Sequence, residues 1–87
     1  MKDFGSLPPA PARSFVVDDY VVHATPTGTR GRFTATLSHG GRVIFEVGSE
    51  RNARVAITAL ALACMKGSPA MHALGVKILS KLDRSNI

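Results

Sequence analysis

The sequence predicts an α+β domain in which a three-stranded antiparallel sheet is followed by two helices packed on one of its faces. Three observations support this prediction. Apolar and polar residues alternate on both sides of a His39–Gly41 turn, as is typical of a β-hairpin. From Ser49 onward the apolar residues recur with a helical period, and a second helical stripe follows Gly67. The predicted order of elements is therefore β-β-β-α-α.

The N-terminal residues 1–13 contain three prolines among small residues. This composition predicts a flexible tail with a bias toward polyproline II, so we expect a single domain over residues 14–87. The first strand is predicted over Ser14–Thr25, because valine and aromatic residues are enriched there. Asp18 and Asp19 interrupt this strand and indicate a bulge, a turn or an edge.

The second and third strands form a hairpin whose register depends on the length of its turn. A three-residue turn is expected, because it brings six apolar side chains to one face. These form the pairs Leu37–Val43, Ala35–Phe45 and Phe33–Val47. A two-residue turn would instead pair Leu37 with Ile44 and divide that apolar face.

The first helix is predicted to run from Ser49 to about Lys66. Ser49 is a suitable N-cap, and Glu50 complements the positive end of the helix dipole. Gly67 provides the C-terminal stop. Because few positions of this helix are polar, it must be covered on more than one side.

The second helix begins with Ser68 as N-cap and Pro69 at its first position. Gly75 lies within its apolar stripe and indicates a close approach to the first helix. The stripe comprises Met71, Leu74, Gly75, Ile78, Leu79 and Leu82. A fourth strand over residues 73–79 is the alternative interpretation, since short apolar runs are ambiguous.

Composition restricts the class of protein. The chain has 87 residues and a net charge of +5, so we expect one domain with a thin core. The positive charge suggests an acidic partner such as nucleic acid, or simply a solvated basic surface. A single cysteine, Cys64, favours a reducing compartment. With no signal peptide and no apolar run long enough for a membrane span, a soluble cytoplasmic protein without membrane contact is expected.

The sequence contains no pattern typical of catalysis. His23, His39 and His72 lie on different elements without ligand spacing, so no metal site is predicted. Gly40-Gly41 lacks the residues that follow in a phosphate-binding loop, and Cys64 lies in the most apolar part of the first helix. We therefore expect no cofactor, no catalytic residues and no enzymatic activity.

Two surfaces are predicted to bind a partner. On the hairpin, Arg32 and Arg42 are expected to share the outer face with hydroxyl side chains, with Arg30 nearby in the loop. Arginine and hydroxyl donors suit phosphate oxygens and base edges, although stacking aromatics are missing and the same residues also suit an ordinary solvated sheet. The hydroxyl residues are Thr34, Thr36 and Ser38.

The second predicted surface is the helix layer. Arg51, Arg54 and Thr58 form a narrow basic stripe on the first helix. If the second helix leaves Leu62 or Met65 exposed, the residual apolar patch suits a protein partner or a homodimer formed through the apolar helices.

The arrangement of turns and helices resembles a known group of proteins. The pattern Phe33-x-Ala35-x-Leu37, Gly40-Gly41-x-Val43-Ile44, an alanine-rich helix over residues 53–65, then Gly67-Ser68-Pro69 is similar in outline to small anti-CRISPR proteins of the type I-F inhibitor group. The outline also occurs in small proteins of proteobacterial prophages. The chain departs from this outline in its N-terminal extension and its second amphipathic helix.

This resemblance implies a non-enzymatic inhibitor, encoded by a phage or mobile element, that binds a host nuclease or surveillance complex. It assigns no functional residues. The positive net charge argues against mimicry of DNA. The leading hypothesis is therefore inhibition of a host defence complex through protein–protein contact. A DNA-binding module that uses the outer face of its sheet is the alternative.

Overall fold

The computed structural model describes residues 13–27 and 31–85. The strands are β1 (Arg13–Val17), β2 (Tyr20–Pro26), β3 (Phe33–His39) and β4 (Arg42–Glu50), and the helices are α1 (Ala53–Met65) and α2 (Pro69–Asp83). The strands form one antiparallel sheet in sequential order. The α+β class and the sheet-then-helices order are confirmed, but the sheet has four strands rather than the predicted three. Apart from Arg13, which begins β1, the predicted tail lies outside the described residues.

The additional strand arises because the predicted first strand turns back on itself at Asp18 and Asp19. Both residues have positive φ, 49° and 70°, and Val17 pairs with Tyr20 across the turn. Such a two-residue hairpin needs positive φ at both central positions, a conformation that aspartate tolerates better than most residues. Of the three interpretations of this aspartate pair, a turn is the one that the structure shows.

The turn between β3 and β4 has two residues, so the predicted three-residue turn is wrong. Gly40 and Gly41 have φ of 60° and 80°, and the flanking His39 and Arg42 are paired. The inward alternation is recovered by a bulge at Ile44, which has no partner on β3. The pairs continue as Ser38–Val43, Leu37–Phe45 and Ala35–Val47. One extra residue on β4 thus shifts the register where a longer turn was expected to do so.

The start of α1 also differs from the prediction, since Ser49 does not cap the helix. β4 continues through that position to Glu50, which pairs with Phe33. Asn52 is the N-cap, and its side-chain oxygen accepts a hydrogen bond of 2.8 Å from the backbone N–H of Val55. Asparagine caps helices as well as serine does, so pairing with β3 decided which residue took this position.

The predictions for α2 are confirmed. The Ser68 hydroxyl accepts a hydrogen bond from the backbone N–H of Met71, and Pro69 occupies the first helical position. Residues 73–79 are helical, so the alternative fourth strand is wrong. Gly75 is a point of close approach, because a Cβ built there would lie 2.5 Å from the carbonyl oxygen of Ala61.

The hydrophobic core lies between one face of the sheet and the helix layer. α1 lies over β2, β3 and β4, while α2 packs against α1 and reaches β1. The largest fully buried side chains include Leu37, Ile57, Leu60 and Ile78. None of the described helices has the length and apolar content that crossing a membrane requires. The opposite face of the sheet, called here the outer face, is covered by none of the described elements.

Candidate interaction surface

One row of residues on the outer face crosses all four strands and consists of three valines and a serine. Val16 pairs with Val21, Val21 with Ser38, and Ser38 with Val43. We call these four residues the valine row; the bulged Ile44 follows Val43. Val16, Val43 and Ile44 are 54%, 59% and 46% exposed. Residues paired directly across antiparallel strands point to the same face, so this end of the outer face presents apolar side chains to solvent.

Next to the valine row lies a polar row of four residues, Ser14, His23, Thr36 and Glu46, which are paired in that order across the strands. The Nδ1 atom of His23 is buried and has no hydrogen-bond partner among the described residues. A buried polar atom left in this way costs about 1–3 kcal/mol. Glu46 is exposed and has no ion-pair partner among them. Two polar groups on this face therefore lack a partner within the described part of the chain.

The far end of the outer face is formed by small side chains. Thr25 pairs with Thr34, and its hydroxyl lies 3.5 Å from the backbone oxygen of that residue. A Cβ added at Gly48 would come within 2.7 Å of the Thr34 hydroxyl. Because Gly48 has no side chain, β4 can pass close to the side chain of Thr34.

The outer face is less basic than the sequence predicts, and the strand register is the reason. Arg42 pairs with His39, which lies two residues beyond the buried Leu37, and so belongs to the helix side of the sheet. The prediction that Arg42 shares the outer face is therefore wrong. The reason is the bulge at Ile44, which reverses the side on which earlier residues of β4 lie. Thr34, Thr36 and Ser38 do lie on the outer face, as predicted.

The other arginines near the sheet differ in position, and Arg32, which precedes the inward Phe33, falls on the outer side by alternation. Arg13 pairs with the buried Ala24 and so also lies on the helix side. Arg32 is exposed in the segment before β3, where its backbone oxygen accepts a hydrogen bond from Thr27. Arg30 lies outside the described residues. Among the described strand residues, none on the outer face is basic, and Glu46 is its one charged residue.

Of the basic stripe predicted on the first helix, only Arg54 and Thr58 lie on α1, because the helix begins at Ala53. Arg54 forms an ion pair of 2.8 Å with Asp83 and also donates to the backbone oxygen of Leu82. The Thr58 hydroxyl donates to the Arg54 carbonyl, and Arg51 is exposed before the helix. Arg54 therefore links α1 to the C-terminal end of α2. A role of Arg51, Arg54 and Thr58 in partner binding stays a prediction.

The two edges of the sheet differ in how they are covered. On the β1 side, Lys81 of α2 donates a hydrogen bond of 2.9 Å to the Val16 carbonyl, and Lys77 pairs with Asp18. No described side chain bonds to the backbone of β4. Its edge is instead interrupted by the Ile44 bulge and a second register shift between Phe33 and Ala35, features that discourage pairing with another strand. The β1 edge is thus covered by side chains of α2, whereas irregular pairing is what protects the β4 edge.

The described residues contain no group of three or more His, Cys, Asp and Glu side chains placed to hold a metal ion. Burial raises the pKa of the Cys64 thiol. At neutral pH this cysteine therefore remains protonated and is a poor nucleophile. Leu62 of α1 is 48% exposed, so the condition set for an apolar patch on the helix layer is met. The outer face differs in that its exposed apolar side chains belong to paired, neighbouring strands.

Sequence reasoning missed the apolar part of the outer face. The sequence predicts Val16 within one continuous strand, and it predicts Val43 on the core face of the hairpin. One local signal existed for Val16: it precedes Val17 in an alternating strand, so the two must lie on opposite faces. No comparable signal exists for Val43, because its position depends on the bulge that follows it.

Comparison with protein-family models, with curated proteins and with solved structures gave no match. The resemblance to anti-CRISPR proteins therefore stays a prediction from the sequence. The function has to be argued from the outer face, with its exposed valine row and with Glu46, which has no ion-pair partner among the described residues.

Proposed function

We propose that this protein is a small non-enzymatic binding protein that contacts another protein through the outer face of its sheet. The observation that supports this is the valine row together with Ile44, where three apolar side chains are about half exposed. Neighbouring apolar side chains beside polar ones are typical of interaction sites. In so small a chain, leaving them in solvent is explained by a partner that covers them.

The charge of the outer face favours a protein over a nucleic acid duplex. Duplex binding depends on Lys and Arg side chains that neutralise phosphates. The register places Arg13 and Arg42 on the helix side and leaves the exposed Glu46 on the outer face. A carboxylate repels phosphate, and of the described arginines that suggested DNA binding through the sheet, only Arg32, which is exposed before β3, remains near this face.

The class of partner follows from the sequence resemblance. We propose that the protein is encoded by a phage or mobile element and inhibits a CRISPR surveillance complex in the host cytoplasm. An inhibitor of this kind needs only a complementary surface and no catalytic group. A domain whose one uncovered sheet face is partly apolar satisfies that requirement.

A phage-plaquing assay tests this proposal in cells that carry an active type I-F system directed at the infecting phage. Expression of the protein is expected to restore plaquing to the level of cells without a matching guide. The Val43→Asp variant should lose this effect. The matched control is Val76→Asp on α2, because Val76 is 46% exposed but lies away from the sheet; it should retain the effect.

Two results would contradict parts of the proposal. If the unchanged protein fails to restore plaquing, the CRISPR complex is not its target. If Val76→Asp loses activity as fully as Val43→Asp, the outer face is not the contact surface.

Fluorescence anisotropy with duplex DNA at about 50 and 200 mM salt tests the alternative function, a DNA-binding module. We expect no binding at either concentration. Salt-sensitive binding that disappears when Arg32 and Arg42 are both replaced by alanine would support the DNA-binding module.

A further inference from the structure

A protein that covers the valine row and the polar row beside it also covers Glu46. This carboxylate lies beside Thr36 in the polar row and has no ion-pair partner among the described residues. Transferring an unpaired carboxylate out of water is strongly unfavourable unless a cation accompanies it. No described Lys or Arg forms an ion pair with Glu46, so a partner that buries this carboxylate is expected to bring the cation.

We propose that the partner of the outer face is a protein surface that directs a Lys or Arg side chain at Glu46 and sets apolar side chains against the valine row. This inference rests on the proposed function and specifies the chemistry of its partner. Glu46 and the valine row lie on adjacent rows, so the basic group and the apolar group are separated by about 7 Å, the spacing of same-face neighbours along a strand.

A second copy of this chain does not meet these requirements through its own outer face. Two outer faces packed against each other would bring together two Glu46 carboxylates. Like charges at a buried interface oppose association. This pairing is therefore disfavoured, and we take a different protein as the partner.

The test is selection from a displayed library of random peptides against the whole protein and its variants. The unchanged protein should enrich peptides in which Lys or Arg stands among apolar residues. Glu46→Arg should enrich Asp or Glu at that place, and Glu46→Gln should show no preference for charge. The matched control is Glu50→Arg, since Glu50 lies on the same strand but pairs with Phe33 on the helix side; it should select as the unchanged protein does.

Enriched peptides should bind Glu46→Arg at least about tenfold more weakly than the unchanged protein, equivalent to about 1.4 kcal/mol. If Glu46→Arg and the unchanged protein select the same peptides with equal affinity, the inference about Glu46 is wrong. The proposed function is tested separately by Val43→Asp, which should abolish selection. If that variant enriches the same peptides as the unchanged protein, the outer face is not the binding surface and both proposals fail.

Discussion

The two faces of this sheet are built from the same kinds of residue but meet different surroundings. Val16 and Val17 are neighbours on β1, yet Val16 is 54% exposed while Val17 is 7% exposed and joins the core. Alternation of side chains along a strand makes this possible. The comparison shows that one strand can stabilise the fold through one face and present apolar side chains to solvent on the other.

Two local features decide which valines belong to which face. The turn at Asp18 and Asp19 ends β1 immediately after Val17. The bulge at Ile44 leaves Val43 on the outer face although Phe45 and Val47 pack against the core. Without that bulge, strict alternation would place Val43 with Phe45, as the sequence analysis expected. The outer face therefore owes part of its apolar character to an irregularity in β4.

The largest expected effect comes from the same substitution made on each face. Val22→Ala should lower the free energy of unfolding by about 2.5 kcal/mol, because Val22 is 0% exposed and its loss removes buried methyl groups and leaves a cavity. Val43→Ala, at 59% exposed, should change it by less than about 0.5 kcal/mol. Urea unfolding measures both values. Equal losses would mean that the outer face is covered in solution.

The next effect tests how tightly the helix layer covers the inner face. Gly75→Ala should lower the free energy of unfolding by about 2 kcal/mol, since the new Cβ would clash with the Ala61 carbonyl and the Met65 side chain. Ala73→Gly, at an exposed position of α2, should cost about 1 kcal/mol through lower helix propensity. Thermal unfolding followed by circular dichroism reports both. A stabilising effect of Gly75→Ala would show that propensity outweighs packing.

A smaller and opposite effect is expected at the turn that separates Val16 from Val17. Asp19 has φ of 70°, a conformation that glycine adopts without steric cost. Asp19→Gly should therefore raise the free energy of unfolding by about 0.5–1 kcal/mol. The reverse change, Gly41→Ala at φ of 80°, should lower it by a similar amount. Denaturant midpoints of the two variants should shift in opposite directions; shifts of the same sign would contradict this account.

The smallest effect is expected for the ion pair between the helices. The side chains of Arg54 and Asp83 are 46% and 75% exposed, and exposed pairs contribute about 0.2–1 kcal/mol. A double-mutant cycle with Arg54→Ala and Asp83→Ala should give a coupling energy in that range that falls as salt is raised. A coupling above about 2 kcal/mol would indicate that this pair holds α2 in place.

Much of the fold could be predicted from residues that lie close together in the sequence. Ser68 and Pro69 mark the start of α2, and its apolar stripe faces the core as the period predicted, with Met71 and Leu79 partly buried. Gly75 indicated the close approach of the helices, because a residue without a side chain in an apolar stripe leaves room for a neighbouring backbone. Each of these inferences depends on residues within a few positions of one another, which is why the sequence was sufficient.

Other features depend on contacts between distant segments. Ser49 and Asn52 are both suitable N-caps, and pairing of β4 with β3 through Glu50 decided in favour of Asn52. The number of strands likewise depended on whether residues 20–26 pair back onto residues 13–17. Composition of the segment alone allowed a bulge, a turn or an edge at that point.

The sequence by itself determined the α+β class, the sheet-then-helices order and the helix boundaries near Gly67, because capping, propensity and periodicity act over a few residues. Only the tertiary structure decided the four-strand register and the charge of the outer face. A single bulge at Ile44 moved Arg42 to the helix side and Val43 to solvent. Since one extra residue reverses every side chain beyond it, the face that a strand residue occupies depends on pairing and burial across the whole sheet.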